Sequence, residues 1–220
     1  MDRECELSKL KVVIFDCDGV MFDSKEANEA YYNHILERFE KPKMDARQSE
    51  YVHMNTASRS VAYLFGGDPQ VEQAHAYREE LSYSPFIPMM RMEPYLKPLL
   101  EQLRISYKTA IATNRSNTMN QVLEEHGLKG YFDLVVSSLD VPEPKPAPDA
   151  LLKVLIHFKL SPSEAIYIGD SRIDEMTAKA AGIPLIAYKN RNLSATYHVD
   201  GFNDVEVLLG KCHTSLPESF

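Results

Sequence analysis

Five short apolar runs along the chain alternate with stretches that have the pattern of helices. The runs are brief and rich in β-branched residues, which is typical of buried strands. They are Val12–Phe15, Thr109–Ala112, Leu134–Ser137, Ile166–Gly169 and Pro184–Ala187. Strands that alternate with helices predict a parallel sheet with helices on both faces. We therefore expect an α/β fold with a doubly wound parallel sheet.

Helix start and stop signals fill most intervals between the later runs. Ser116 is a candidate cap for a helix that ends at His126, before Gly127. Three more signals favour helices: Pro148 opening a helix to about Phe158, a capping box with proline at the first helical position over Ser161–Glu164, and Ile173–Ala181 ending at Gly182. A further helix is expected over Pro94–Leu103.

The interval between the first two runs is far longer than the ~10–12 residues of a minimal crossover. One helix face in it is formed by Ala27, Ala30, Tyr31, Leu36 and Phe39, and further helical stretches cover Ser58–Phe65 and Pro69–Ser82. We therefore expect a helical cap domain over residues 24–92, inserted into a Rossmann-like core formed by residues 1–23 and 93–220.

Composition argues against several classes of function. The chain of 220 residues carries 24 basic and 32 acidic side chains, a net charge of −8, which disfavours binding to nucleic acid or to an anionic membrane. Every apolar run is far shorter than the ~20 residues of a membrane-spanning helix, and the acidic start lacks signal-peptide features. Three cysteines, Cys5, Cys17 and Cys212, form no close pair and suggest free thiols. We expect a cytoplasmic protein, a monomer or small homo-oligomer.

Polar side chains follow four of the predicted strands. They are Asp16 and Asp18 after the first, Thr113 and Asn114 after the second, Lys145 in the proline-rich loop after the third, and Asp170 and Asp174 after the fourth. Each has an ordinary alternative, such as a strand-to-turn exit, a solvated lysine or a helix cap. Ligands of parallel sheets bind at the carboxyl ends of strands. Together the groups indicate a site for phosphate and a metal ion.

The residues and the order of these segments resemble the sequence motifs of the haloacid dehalogenase superfamily of phosphatases. The matching segments are Phe15–Val20 (Asp-x-Asp-Gly), Ala112–Asn114, Lys145–Pro148 and Gly169–Asp174. The resemblance covers about Lys11 to Ala187. The insert after the first segment resembles the helical cap of phosphoglycolate phosphatases and β-phosphoglucomutases. The interval between Thr113 and Lys145 has no room for a second large cap.

The resemblance implies a covalent mechanism that uses magnesium. Asp16 would attack phosphorus and form an aspartyl-phosphate, and Asp18 would act as the proton donor and acceptor. The Mg²⁺ ligands would be the carboxylates of Asp16 and Asp170 and the backbone carbonyl of Asp18, with Asp174 acting indirectly. The remaining phosphate oxygens would be held by Thr113, the Asn114 amide and Lys145.

Asp18 also distinguishes reactions within the superfamily, because members that remove halide or cleave phosphonates lack an aspartate at this position. The expected substrate is a small phosphate monoester, such as phosphoglycolate or a sugar phosphate. A β-phosphoglucomutase-like phosphosugar mutase is the alternative, although Asn28 stands where those mutases have a histidine. A receiver-type phospho-acceptor or a non-catalytic protein is the alternative from another class.

Substrate choice is expected to depend on the cap. A polar cluster midway along it contains His53, Asn55, Ser58 and Arg59. Ser58-Arg59 faintly resembles the substrate-binding loop of the β-phosphoglucomutases. A solvated loop is the competing interpretation, and it is favoured.

Overall fold

The computed structural model describes residues 7–210, which form eight strands and nine α-helices. The strands are β1 (Val12–Phe15), β2 (Phe22–Asp23), β3 (Arg91–Met92), β4 (Lys108–Ala112), β5 (Leu134–Val136), β6 (Ala165–Gly169), β7 (Leu185–Tyr188) and β8 (Tyr197–Val199). The helices are α1 (Lys25–Arg38), α2 (Ala46–Met54), α3 (Ala57–Phe65), α4 (Val71–Glu80), α5 (Leu96–Ser106), α6 (Met119–Glu125), α7 (Asp149–Phe158), α8 (Arg172–Ala181) and α9 (Phe202–Gly210). Three 3₁₀ turns cover Ser84–Met89, Ser138–Asp140 and Pro162–Glu164.

Six strands form one parallel sheet in the order β5-β4-β1-β6-β7-β8, which confirms the predicted fold class. Strand β1 is central, with β4 on one side and β6 on the other. The register pairs Phe15 with Ile111 and with Ile168. The carboxyl ends of these three strands therefore lie side by side, and the chain leaves β1 at a topological switch point, where open sheets bind ligands.

The alternation of side chains along β1 supplies both faces of the sheet with apolar groups. Val13 and Phe15 pack into one core cluster, and Val12 and Ile14 pack into the other. All four side chains are fully buried. A strand covered on both faces needs an uninterrupted apolar run, which explains why the first segment is so easily recognised in the sequence.

Helices α1 to α4 lie between β1 and β4 and form the helical insert. The short antiparallel pair β2–β3 joins the two ends of this insert, with Phe22 opposite Met92. Ala27, Tyr31 and Leu36 are buried on α1, as its apolar pattern predicted. The division into a cap over residues 24–92 and a core over the remainder stays a prediction.

Several predicted elements differ from the structure. The capping box at Ser161–Glu164 is present, but it closes only the 3₁₀ turn Pro162–Glu164, because strand β6 begins at the next residue. The helix predicted from Ser116 begins at Met119. Helix α2 was not predicted, although Asp45 and Gln48 form a capping box at its start. Strands β2, β3 and β8 were also missed.

Two sequence-based expectations concern the cysteines and the membrane. Cys17 is a buried free thiol, whereas Cys5 and Cys212 lie outside the described residues. Burial raises the pKa of the Cys17 thiol well above its usual range, so the side chain is held neutral. None of the described helices has the length and apolar character needed to cross a membrane.

Ile14→Ala tests the central strand. The side chain is fully buried, so we expect the free energy of unfolding to fall by about 2–5 kcal/mol because a cavity forms and apolar contacts are lost. Urea unfolding measures the change. The matched control is Ile105→Ala, whose side chain is 82% exposed, with an expected change within about 0.5 kcal/mol. Equal losses in the two variants would contradict the position assigned to β1.

Candidate active site

A cavity of about 260 Å³ opens at the carboxyl ends of β1, β4 and β6 and extends beneath the helical insert. It brings together the side chains that follow separate strands in the sequence. Its lining includes Asp16, Asp18, Thr113, Asn114, Lys145 and Asp170. Residues of the insert, among them His53 and Tyr83, line the opposite side. The volume lies below the range typical of pockets for drug-sized ligands and suits a small metabolite.

A buried lysine joins two carboxylates at the base of this cavity. Lys145 Nζ lies 2.8 Å from Asp16 Oδ1 and 2.7 Å from Asp174 Oδ1. It also donates to the hydroxyl of Tyr167 at 2.9 Å, and that hydroxyl lies 2.7 Å from the same Asp174 oxygen. The second Asp174 oxygen accepts from the backbone N–H and hydroxyl of Ser171. Both oxygens of Asp174 are therefore occupied by protein donors.

Asp16 and Asp170 are much less satisfied than Asp174. The contact of Lys145 with Asp16 Oδ1 is an ion pair outside hydrogen-bond geometry, so this buried oxygen accepts no hydrogen bond from the described residues. The Asp170 carboxylate also accepts none from another described residue. Oxygen atoms of Asp16, Asp170 and Asp174 all lie within 4.8 Å of one another. This arrangement fits a hard divalent cation, and the two unsatisfied carboxylates are the groups free to bind it.

The backbone permits this close approach because two positions lack a Cβ. Gly19 has φ +81°, and a Cβ there would collide with the Asp170 carboxylate. A Cβ on Gly169 would collide with Asp174. The Asp-Gly and Gly-Asp pairs of the sequence are therefore needed for geometry as well as for turn formation.

The electrostatics of the cluster show an excess of negative charge. Burial, with Asp174 adding to it, raises the pKa of Asp16 to about 7 against the opposing effect of Lys145. Burial and the neighbouring carboxylates raise the pKa of Asp170 well above its usual range. Burial also acts to raise the pKa of Asp174, but Lys145 and the hydrogen-bond donors outweigh it and lower that pKa. Burial acts to lower the pKa of Lys145, but Asp16 and Asp174 outweigh it and keep the ammonium charged.

Asp18 is held by a different cation, Arg115. Its Nε lies 2.8 Å from Asp18 Oδ2 and its Nη2 lies 2.6 Å from Oδ1, a bidentate pair. The hydroxyl of Ser24 also donates to Oδ1. Burial acts to raise the pKa of Asp18, but Arg115 outweighs it and lowers that pKa. No sequence pattern indicated a role for Arg115, although Arg115 directly follows Asn114 in the loop after β4.

Thr113 and Asn114 lie in the same loop after β4, and few of their hydrogen-bond donors are free to bind a ligand. Thr113 Oγ1 accepts the backbone N–H of Arg115 at 3.1 Å, which leaves its hydroxyl hydrogen available. The side-chain amide of Asn114 donates to the carbonyls of Met54 and Lys145 at 3.2 and 3.1 Å. Among the described residues, the backbone N–H of Asn114 has no partner, and it is the group of this residue that can bind an anion.

The polar cluster predicted in the insert is only partly brought to the cavity. His53 and Asn55 line it, and His53 Nδ1 lies 3.3 Å from the side-chain nitrogen of Asn28. Ser58 and Arg59 are exposed on α3 and do not line the cavity, because the buried face of this helix is formed by other residues. Tyr83, which the sequence analysis missed, donates to Asn28 Oδ1 at 2.8 Å and accepts from Arg115 at 3.3 Å.

Lys145→Met tests the charge cluster at the base of the cavity. It leaves buried carboxylates without their cation, so we expect the free energy of unfolding to fall by about 3–5 kcal/mol. The control is Lys153→Met, since Lys153 is 45% exposed and pairs with Asp140 at 3.8 Å; its expected loss is within about 1 kcal/mol. Urea unfolding compares the two variants. A loss as small as that of the control would show that Lys145 does not balance the buried carboxylates.

Comparisons with known proteins agree with this arrangement. Residues 13–188 match the model of the haloacid dehalogenase-like hydrolases. A solved HAD-superfamily hydrolase of Geobacter sulfurreducens (subfamily IA, variant 1) is 38% identical, with a TM-score of 0.75 and coverage of 92% of this chain and 97% of that chain. The phosphoglycolate phosphatase of Rhodobacter capsulatus is 29% identical over 90% of this chain and 94% of its own length. The pyrophosphatase PpaX of Bacillus velezensis is 27% identical over 79% of this chain and 81% of its own length. The expected enzyme family is thus confirmed, and the chain belongs to the haloacid dehalogenase-like hydrolases.

Proposed function

We propose that the protein is a magnesium-dependent phosphatase that hydrolyses a small phosphate monoester through an aspartyl-phosphate on Asp16. The observation that carries the proposal is the Asp16 carboxylate at the end of β1, with one buried oxygen free of hydrogen bonds and the Lys145 ammonium beside it. The names of two relatives, a phosphoglycolate phosphatase and a pyrophosphatase, support phosphate chemistry on compact substrates.

Asp16 is the proposed nucleophile. Its carboxylate oxygen forms a bond to phosphorus as the bond between phosphorus and the leaving oxygen breaks. Lys145 favours the ionised form of Asp16 by its charge, and Asp174 with Tyr167 positions Lys145. The hydroxyl of Thr113 and the backbone N–H of Asn114 supply donors for the non-bridging phosphate oxygens, where negative charge must be stabilised.

Asp18 is the proposed proton carrier. In the first step the carboxylic acid form of Asp18 gives a proton to the leaving oxygen, so that an alcohol and the aspartyl-phosphate result. Burial acts to raise the pKa of Asp18, but Arg115 outweighs it and lowers that pKa in the substrate-free site, so this step requires that the negative charge of the bound phosphate raise that pKa. In the second step the Asp18 carboxylate takes a proton from water, whose oxygen attacks phosphorus and releases inorganic phosphate and Asp16. Arg115 and Ser24 position this carboxylate through both of its oxygens.

Magnesium fits the residues at the base of the cavity. We assign it to Asp16, Asp170 and the backbone carbonyl of Asp18, since the two carboxylates accept no hydrogen bond from another described residue and the one ammonium of Lys145 does not balance the charge of the cluster. Asp174 is assigned an indirect role, because its oxygens are already occupied by Lys145, Tyr167 and Ser171. When bound, the ion would neutralise repulsion between the carboxylates and the phosphate and would orient the phosphate.

Asp16→Asn tests the covalent route. We expect phosphate release from a panel of phosphate esters to fall on the order of 10³-fold or more, because the amide cannot replace the carboxylate as nucleophile. Circular dichroism should show an intact fold. Asp200→Asn, at an exposed ion pair with Arg191, is the control and should retain wild-type turnover. More than a tenth of the wild-type rate in Asp16→Asn would rule out the assigned nucleophile.

Magnesium dependence has its own test. We expect chelation to abolish phosphate release and added Mg²⁺ to restore it. Asp170→Ala should weaken the affinity for Mg²⁺ far more than Asp174→Ala, since only Asp170 has a carboxylate free to bind the ion. Calorimetric titration of Mg²⁺ into the purified variants measures this directly. Matching titrations for the two variants would refute the ranking.

The mutase alternative is separated by products. A phosphatase releases free phosphate in step with alcohol, whereas a mutase returns the phosphoryl group to a sugar. Product analysis on glucose 1-phosphate, with and without a sugar bisphosphate, should show free phosphate and no activation. Rapid glucose 6-phosphate formation primed by the bisphosphate would establish the mutase instead.

A further inference from the structure

Arg115 occupies a fixed position between the phosphate-binding loop and the insert. It is 8% exposed and lines the cavity. Its backbone N–H donates to Thr113 Oγ1 at 3.1 Å, and its carbonyl accepts from the backbone N–H and hydroxyl of Ser138 at 2.9 and 3.2 Å. The backbone that carries the guanidinium is therefore tied to the same loop as Thr113.

The guanidinium of Arg115 uses only part of its donor capacity within the described residues. Nε and Nη2 hold Asp18, Nη2 also donates to Tyr83, and the Tyr83 ring centre lies 5.0 Å from the guanidinium carbon. Nη1 makes only one hydrogen bond in this part of the chain, to Thr118 Oγ1 at 3.5 Å. A guanidinium has five N–H donors in a planar fork, so the Nη1 edge can still bind an anion while the other edge keeps Asp18.

The other cations of the cavity are less suited to a second anion near the ester. Lys145 already forms ion pairs with Asp16 and Asp174. Arg78, on helix α4 of the insert, pairs with its neighbour Glu79 at 3.1 Å, and its buried Nε has no hydrogen-bond partner among the described residues. Arg115 differs because it directly contacts the residue assigned to the leaving oxygen. An anion bound at its Nη1 edge would therefore be held by the same guanidinium that holds Asp18.

We propose that Arg115 is a specificity-determining residue that binds a second anionic group of the substrate, placed next to the scissile phosphate. This rests on the proposed function. It narrows the substrate class to compact molecules with a carboxylate or a second phosphate beside the phosphoryl group. Sugar phosphates with neutral hydroxyls near the ester bond would bind without this contact. The cavity of about 260 Å³ suits such a short molecule with two anionic groups.

A matched pair of esters tests the proposal. Phosphoglycolate and 2-hydroxyethyl phosphate differ only in the carboxylate, and pyrophosphate presents a second phosphate instead. With Mg²⁺, we expect kcat/KM of the wild type to be about 10- to 100-fold higher for the preferred of these two substrates than for 2-hydroxyethyl phosphate, the range expected for a charge-assisted hydrogen bond. The substrate with the higher value, phosphoglycolate or pyrophosphate, identifies the anionic group that is recognised.

Variants locate the preference. Arg115→Met should reduce the ratio of kcat/KM between the preferred substrate, phosphoglycolate or pyrophosphate, and 2-hydroxyethyl phosphate to about one. Arg115→Lys should keep part of it, because the charge remains and the fork is lost. A role of Arg115 limited to holding Asp18 would lower both values equally and keep the ratio. Arg191→Met, at an exposed arginine–aspartate pair, is the control and should leave the ratio at the wild-type value.

Binding provides a readout independent of turnover. The preferred substrate, phosphoglycolate or pyrophosphate, is titrated with Mg²⁺ into Asp16→Asn and into Asp16→Asn combined with Arg115→Met. The second substitution should weaken the affinity for that substrate about 10-fold or more. An unchanged affinity for the substrate overturns the proposal. So does a loss of the preference over 2-hydroxyethyl phosphate that occurs in Arg78→Met but not in Arg115→Met. Equal wild-type activity on all three substrates also overturns the role of Arg115, but it is compatible with the proposed phosphatase function. Absence of phosphate release from every ester with Mg²⁺ refutes the proposed function itself.

Discussion

One buried positive charge shared by two carboxylates determines how the rest of the site is arranged. Lys145 lies 2.8 Å from Asp16 and 2.7 Å from Asp174, and a third carboxylate, Asp170, lies in the same cluster. A single ammonium cannot neutralise three carboxylates in a buried place, so burial and mutual repulsion raise the pKa of Asp16 and Asp170. The cluster therefore favours either protonation of these carboxyls or a further cation, and the hydrogen bonds decide where a cation can bind. Asp174 is fully occupied by donors, whereas Asp16 and Asp170 are not.

The topology of the sheet creates this cluster from distant parts of the chain. Strand β1 lies between β4 and β6 in a register that aligns Phe15 with Ile111 and Ile168. Each strand must then end at the same edge, and the next residues of each necessarily meet there. Gly19 and Gly169 allow the loops to approach closely enough for the carboxylates to share one site. The fold therefore supplies the positions, and the side chains supply the charge.

Features that depend on local patterns could be predicted from the sequence, and features that depend on long-range contacts could not. The strand runs and the residues after them, such as Asp16 and Asp170, follow from apolar periodicity and strand order. Arg115 is adjacent to Asn114, yet its pairing with Asp18 joins residues 97 positions apart and has no local signal. The sequence pattern indicates only that Tyr167 is a buried residue of β6. Its hydrogen bond with Lys145 depends on the three-dimensional fold. Arg59 was selected by a faint resemblance, and the orientation of α3 leaves it exposed.

The helical insert and the loop after β4, which carries Thr113 to Arg115, are connected by direct contacts. Asn114 donates to the carbonyl of Met54, and Arg115 donates to Tyr83, which in turn donates to Asn28. The chain of hydrogen bonds therefore runs from Asp18, the proposed proton carrier, through Arg115 to residues of the insert. A change in the insert that moves Tyr83 would alter the environment of Arg115, and through it the position of Asp18. For this reason the substrate recognition proposed for the insert and the proton transfer proposed for Asp18 are coupled through one set of hydrogen bonds.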